Sequence, residues 1–142
     1  MPLPTPEPGL VIHYEYLWRH EHEAGLEQGR KARPCAVVVA TSSEEGILET
    51  VVAPITHVAP EPPSVGIEIP QKLKRHLGLD DDRSWVIVTD LNVFAWPGVD
   101  IQARPGKRGE FDYGLLPPRF FETIRQAVEA AGGSSGATRR TE

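Results

Sequence analysis

The sequence contains one cysteine and one methionine, and no long apolar run. A single cysteine excludes an internal disulfide and a cysteine-built metal site. Cys35 opens an apolar stretch, so a reduced, buried thiol is expected. No segment approaches the ~20 apolar residues that span a bilayer. The first residues lack a basic segment followed by an apolar core, so no signal peptide is expected, and the expected location is the cytoplasm. Positive charge is also scarce. Fifteen Lys and Arg against 20 Asp and Glu leave a net charge of −5. That balance argues against a general nucleic-acid coat, yet it leaves room for a local cationic cleft. The cations cluster at Arg30/Lys31/Arg33, Lys72/Lys74/Arg75 and Arg104/Lys107/Arg108, and there is no internal repeat.

What the chain has is punctuation: 14 prolines and 13 glycines in 142 residues. These favour one domain of short strands and many turns. Residues 1–8 read as an extended, weakly ordered lead-in, and residues 9–131 as the folded domain. Residues 132–142 are rich in Gly, Ser and Thr and read as a disordered tail. Strands are expected over 9–18, 34–41, 47–53, 65–69 and 84–91, with edge strands at Phe94-Ala95-Trp96 and near Ile101. Residues 19–33 read as a long, charged surface loop with at most a helical turn. Pro70 to Gly78 predicts a short helix, with proline at its start and glycine past its end. Pro117 to Ala131 predicts a longer one, with Phe120, Ile124, Ala127 and Ala131 on one face and Phe121 and Val128 beside it. The pattern gives a mainly β fold with a C-terminal helix, a small, strongly curved antiparallel barrel.

Two strand ends carry chemistry. Gly29 to Cys35 ends a charged loop on Arg33-Pro34, immediately before the apolar run Ala36 to Ala40. A guanidinium fixed at the mouth of a sheet suits a phosphate. Alternatively it pairs with a glutamate of its own loop. Val51 to His57 repeats the arrangement, with an apolar strand followed by Pro54, Thr56 and His57. The Thr56 hydroxyl can orient a phosphate oxygen or bond its own backbone in a turn.

From Pro8 to Ala131 the chain resembles the MazF/PemK (Kid-like) toxins of type II toxin–antitoxin systems. The likeness rests on Pro8-Gly9-Leu10-Val11-Ile12, on Gly29 to Val39 with its Arg-Pro step, on Pro54-Ile55-Thr56, and on Val86 to Trp96 with Asp90. It implies an SH3-like barrel, a homodimer and a cognate antitoxin. It also implies metal-independent, sequence-specific cleavage of single-stranded RNA through a 2′,3′-cyclic phosphate, with no cofactor. The family's arginine and Pro-x-Thr hydroxyl carry over onto Arg33 and Thr56, and the aspartate used by some members onto Asp90. A base must take the 2′-hydroxyl proton; Asp90 is the first candidate and His57 the second. Arg30, Lys31, Trp96 and Asn92 are the candidate RNA contacts. The chain departs from the family in a longer, more acidic first loop with Glu21, Glu23 and Glu27, in Leu91 after Asp90, and in a proline-rich loop after Thr56.

Other groups have blander alternatives. His20 and His22 with Glu21 and Glu23 suggest metal ligands, but alternate residues of a solvated loop form a poor preformed set. Trp96 either stacks a base or serves the core or a dimer interface, and Trp85 reads as core. Lys72/Lys74/Arg75 read as a solvated helix face. A non-catalytic binding or regulatory module on the same barrel, or a poison of a protein target such as a topoisomerase, is the alternative function.

Overall fold

The computed structural model describes residues 3–27, 29 and 31–140. Arg30, an expected RNA contact, lies outside them. Eight strands form one mainly antiparallel sheet: β1 (Leu10–Glu15), β2 (Ala32–Ser42), β3 (Leu48–Thr56), β4 (Gly66–Glu68), β5 (Trp85–Ile87), β6 (Asn92–Trp96), β7 (Asp112–Leu115) and β8 (Thr138–Arg139). The helices are α1 (Arg19–Glu23), α2 (Gln71–Leu77) and α3 (Pro118–Ala130). The strand order is β4-β5-β3-β2-β1-β7, and β6 pairs with β3 on one side and β8 on the other. Strand β3 changes partner along one edge, from β6 over Leu48–Val52 to β5 at Ile55 and Thr56. Pro54 falls in that handover, where the ladder is already interrupted. The strand therefore runs on to Thr56 instead of stopping at Ala53.

Alternation along the central strands divides the interior in two. Val11, Ala36, Val38, Val51, Ala53 and Ile55 enter one core, while Leu10, Ile12, Tyr14, Cys35, Val37 and Val52 enter a second. The apolar runs of β2 and β3 are continuous because both faces of these strands are covered. The first core is closed by α3 through Ile124 and Val128, each burial stabilising by roughly 1.5–3 kcal/mol. In the second, Tyr14 stacks on Phe94 with centroids 4.7 Å apart. Helix α2 matches its expected bounds, with Pro70 before it and Gly78 capping it at φ +73°.

Several expectations fail for identifiable reasons. The strand expected over 84–91 keeps only Trp85–Ile87, because the chain turns away at Thr89–Asp90. There the Arg19 guanidinium donates to Thr89 O (3.1 Å), and Asp90 accepts from Tyr16 OH (2.7 Å) and Arg19 N–H (3.2 Å). The expected edge strand at Phe94–Trp96 begins two residues earlier, at Asn92; β8 pairs with Asn92 and Val93, while Phe94–Trp96 pair with β3 alone. Strand β7 was not expected, since Asp112 and Gly114 are poor strand formers; pairing with β1 overrides them. The lead-in is held against the sheet, with Pro6 buried, Leu3 on the second core and Gly9 N–H donating to Val37 O.

Of the expected disordered tail, residues 133–140 are ordered. The side chain of Arg140 is fully buried and lies 2.9 Å from Asp100. It also donates to Glu15 O (2.7 Å), Tyr14 OH (3.2 Å) and Asn92 Oδ1 (3.3 Å). Among the described residues no helix is long and apolar enough to cross a membrane.

Candidate functional site

Strands β2 and β3 are antiparallel neighbours, with Cys35 opposite Pro54. The start of one therefore lies beside the end of the other. A groove of about 840 Å³ opens there. Trp18, Lys31, Arg33 and Pro34 line it from the start of β2 and the segment before α1. Ile55 to Glu61 line it from the end of β3 and the following loop, and His20, Lys74, Leu79, Asp80, Ser84 and Ile87 are among the others. Gly66 lies close against two of these residues. A side chain there would lie 2.7 Å from Pro60 and 3.3 Å from Ile87, both groove residues.

Arg33 is half-buried, with its guanidinium carbon 5.1 Å from the centre of the Trp18 ring. A cation over an indole face gains roughly 0.5–2 kcal/mol. Its buried Nε has no hydrogen-bond partner, and among the described residues no carboxylate pairs with it. Pairing with a glutamate of its own loop is therefore not what holds it. An aromatic-backed, unpaired guanidinium in a groove is prepared for an incoming anion. Thr56 is 7% exposed, and its Oγ1 accepts from Val58 N–H at 3.1 Å. The turn uses the oxygen as acceptor and leaves the hydroxyl proton free to donate.

The neighbouring His57 meets Asp80, with Nε2 to Oδ2 at 2.8 Å. The other oxygen of Asp80 is held by Lys74 Nζ at 2.5 Å and by Asp82 N–H at 3.2 Å. Burial alone raises the Asp80 carboxyl; the hydrogen bond and charge of Lys74, joined by His57, outweigh it and hold the group below its ordinary value. Lys74 itself is fully buried and also bonds Asp82 O. This corrects its reading as part of a solvated helix face: Lys72 and Arg75 are exposed, whereas Lys74 shares the inner face of α2 with Leu77. Among the described residues, His57, Asp80 and Asp82 are the one set of three ligand atoms lying within 4.8 Å of one another. The Lys74 ammonium offsets the Asp80 charge of that set, and its second bond goes to the Asp82 backbone oxygen, not to that carboxylate.

Of the expected site residues, Arg33, Thr56, His57 and Lys31 share the groove. Three others do not line it. Asp90 spends its carboxylate on Tyr16 OH and Arg19 N–H, fastening α1 to the β5–β6 connection. Asn92 is fully buried; its amide donates to Leu17 O (2.7 Å) and accepts from Leu17 N–H (3.0 Å), so it acts as a strut between β6 and the segment after β1. Trp96 packs 5.9 Å from Phe94 against the second core, the structural side of its two readings. Trp85 is half-buried under Arg83 (5.0 Å). The His20–Glu23 segment is helical, with Glu21 turned inward to accept from Trp18 N–H at 3.0 Å.

Sequence reasoning missed Trp18, Asp80 and Lys74. Trp18 meets Arg33 only in the fold; Asp80 sat in an acidic run that reads as a turn. Comparison with protein-family models and with curated proteins returned no match to this chain.

Proposed function

We propose that the chain is a MazF/PemK-like toxin: a metal-independent endoribonuclease, on an SH3-like barrel that closes the sheet, working as a homodimer restrained by an antitoxin. The observation that supports this reading best is one groove holding an unpaired Arg33 and the Thr56 hydroxyl. In cleavage, a ribose 2′-hydroxyl attacks the adjacent phosphorus and the 5′-oxygen leaves, giving a cyclic phosphate. Negative charge gathers on the equatorial oxygens, where a fixed guanidinium stabilises the transition state more than the ground state. The Thr56 O–H donates to one such oxygen. The Trp18 ring, over which the guanidinium lies, backs Arg33 in the groove.

The test is purified protein with a long single-stranded RNA in chelator, mapped by primer extension. Cleavage leaving 5′-hydroxyl ends is expected, and Arg33→Ala lowers the rate about 10²–10³-fold with the melting temperature unchanged to within a few degrees. Intact RNA with the wild-type chain, or equal cutting by Arg33→Ala, overturns the assignment. A binding-only module is the second reading, favoured by the acidic net charge and by the turn bond on Thr56. Growth arrest with undamaged RNA supports it.

A further inference from the structure

We propose that His57 is the general base of this groove and that Asp80, clamped by the buried Lys74, is the residue that positions it. The proposal rests on the nuclease reading above and names the group that reading leaves open. His57 follows Thr56 directly and lines the same groove as Arg33. Its Nε2 lies 2.8 Å from a carboxylate oxygen, which can only accept, so Nε2 carries the hydrogen. In the neutral ring the lone pair is then on Nδ1, which has no hydrogen-bond partner among the described residues. An acceptor of this kind in the groove is what a 2′-hydroxyl requires.

The carboxylate is itself held. Lys74 Nζ and Asp82 N–H occupy Asp80 Oδ1 and leave Oδ2 for the imidazole. Removing an ammonium from water is expensive, and among the described residues the hydrogen bonds of Lys74 go only to Asp80 and to Asp82 O. The arrangement fixes one oxygen toward one ring nitrogen. Asp80, Asp82 and Glu61 favour the imidazolium that forms, while Arg33, Lys31 and Lys74 disfavour it, and His20 faces the same groove. Asp90, the other base considered, is outside the groove with its oxygens in use.

In the step, the 2′-O–H bond breaks and its proton goes to Nδ1. The 2′-oxygen bonds to phosphorus and the P–O5′ bond breaks. The departing oxygen takes a proton from water, and the imidazolium later returns its own to solvent.

The experiment measures single-turnover RNA cleavage against pH for the wild type, His57→Ala, Asp80→Asn and Asp80→Glu, with nitrogen-15 NMR of the wild-type histidines. His57→Ala is expected to lose about 10²–10⁴-fold and the acidic limb of the profile. Asp80→Asn lowers the rate and moves that limb to lower pH, Asp80→Glu restores most of the rate, and NMR reports His57 protonated on Nε2 in its neutral form. Wild-type rates and profiles in His57→Ala and Asp80→Asn overturn the dyad and leave the nuclease standing if Arg33→Ala remains slow. Rate loss in Asp80→Asn without a profile change, or a neutral His57 protonated on Nδ1, overturns the positioning role even if a variant folds poorly. A wild-type chain that cuts no RNA overturns the nuclease reading and this base together.

Discussion

The guanidinium of Arg33 shows how much a single neighbour decides. Its place at a strand mouth was legible from Arg-Pro followed by an apolar run, because proline and a two-sided strand fix the local backbone. The indole behind it was not legible, because Trp18 comes from another element and meets it only in the fold. The same limit hid Asp80 beside His57. A second buried group makes a pH prediction. His13 is 7% exposed, accepts or donates at Nδ1 with Tyr113 OH (2.9 Å), and lies near Arg104. Burial first, and the Arg104 charge second, hold its imidazole below the ordinary value of 6.5. The unfolded chain therefore takes up a proton that the folded chain resists. This contribution to stability is full above about pH 6.5 and is lost progressively as the pH falls below it. Melting temperatures between pH 5 and 7.5 should decline toward acid in the wild type and decline less in His13→Gln.

Among the elements, those bracketed by strong local signals were readable. Helix α2 has proline before it and glycine after it, and α3 has a period of apolar residues. The cap of α2 gives a prediction. Gly78 sits at φ +73°, and a side chain there would also lie 3.2 Å from the Arg104 guanidinium. Gly78→Ala should destabilise by about 1–2 kcal/mol, seen as a lower urea midpoint at unchanged slope. The inward turn of Lys74 was unreadable because composition does not report which charged side chain of a short helix meets a buried carboxylate. Strands β7 and β8 escaped notice for a related reason: Asp112 and Gly114 interrupt one, the other is only two residues long, and distant partners supply the order.

At the scale of the whole molecule, the mainly β architecture with a helix near its C-terminal end was legible, since periodicity and turn residues are spread along the chain. The fastening of that end was not, because it depends on one arginine meeting four distant groups. Arg140 bridges β1, β6 and the segment at Asp100. Arg140→Ala leaves the Asp100 carboxylate buried without its cation and should cost about 3–5 kcal/mol, measured by urea unfolding. The wall behind Pro60 has a different implication. Because Gly66 has no side chain where Pro60 and Ile87 come close, adding a single methyl there would force these two groove residues to shift and so reshape the opening. If the groove takes a ligand as proposed, its width can thus be altered at a residue with no chemistry of its own.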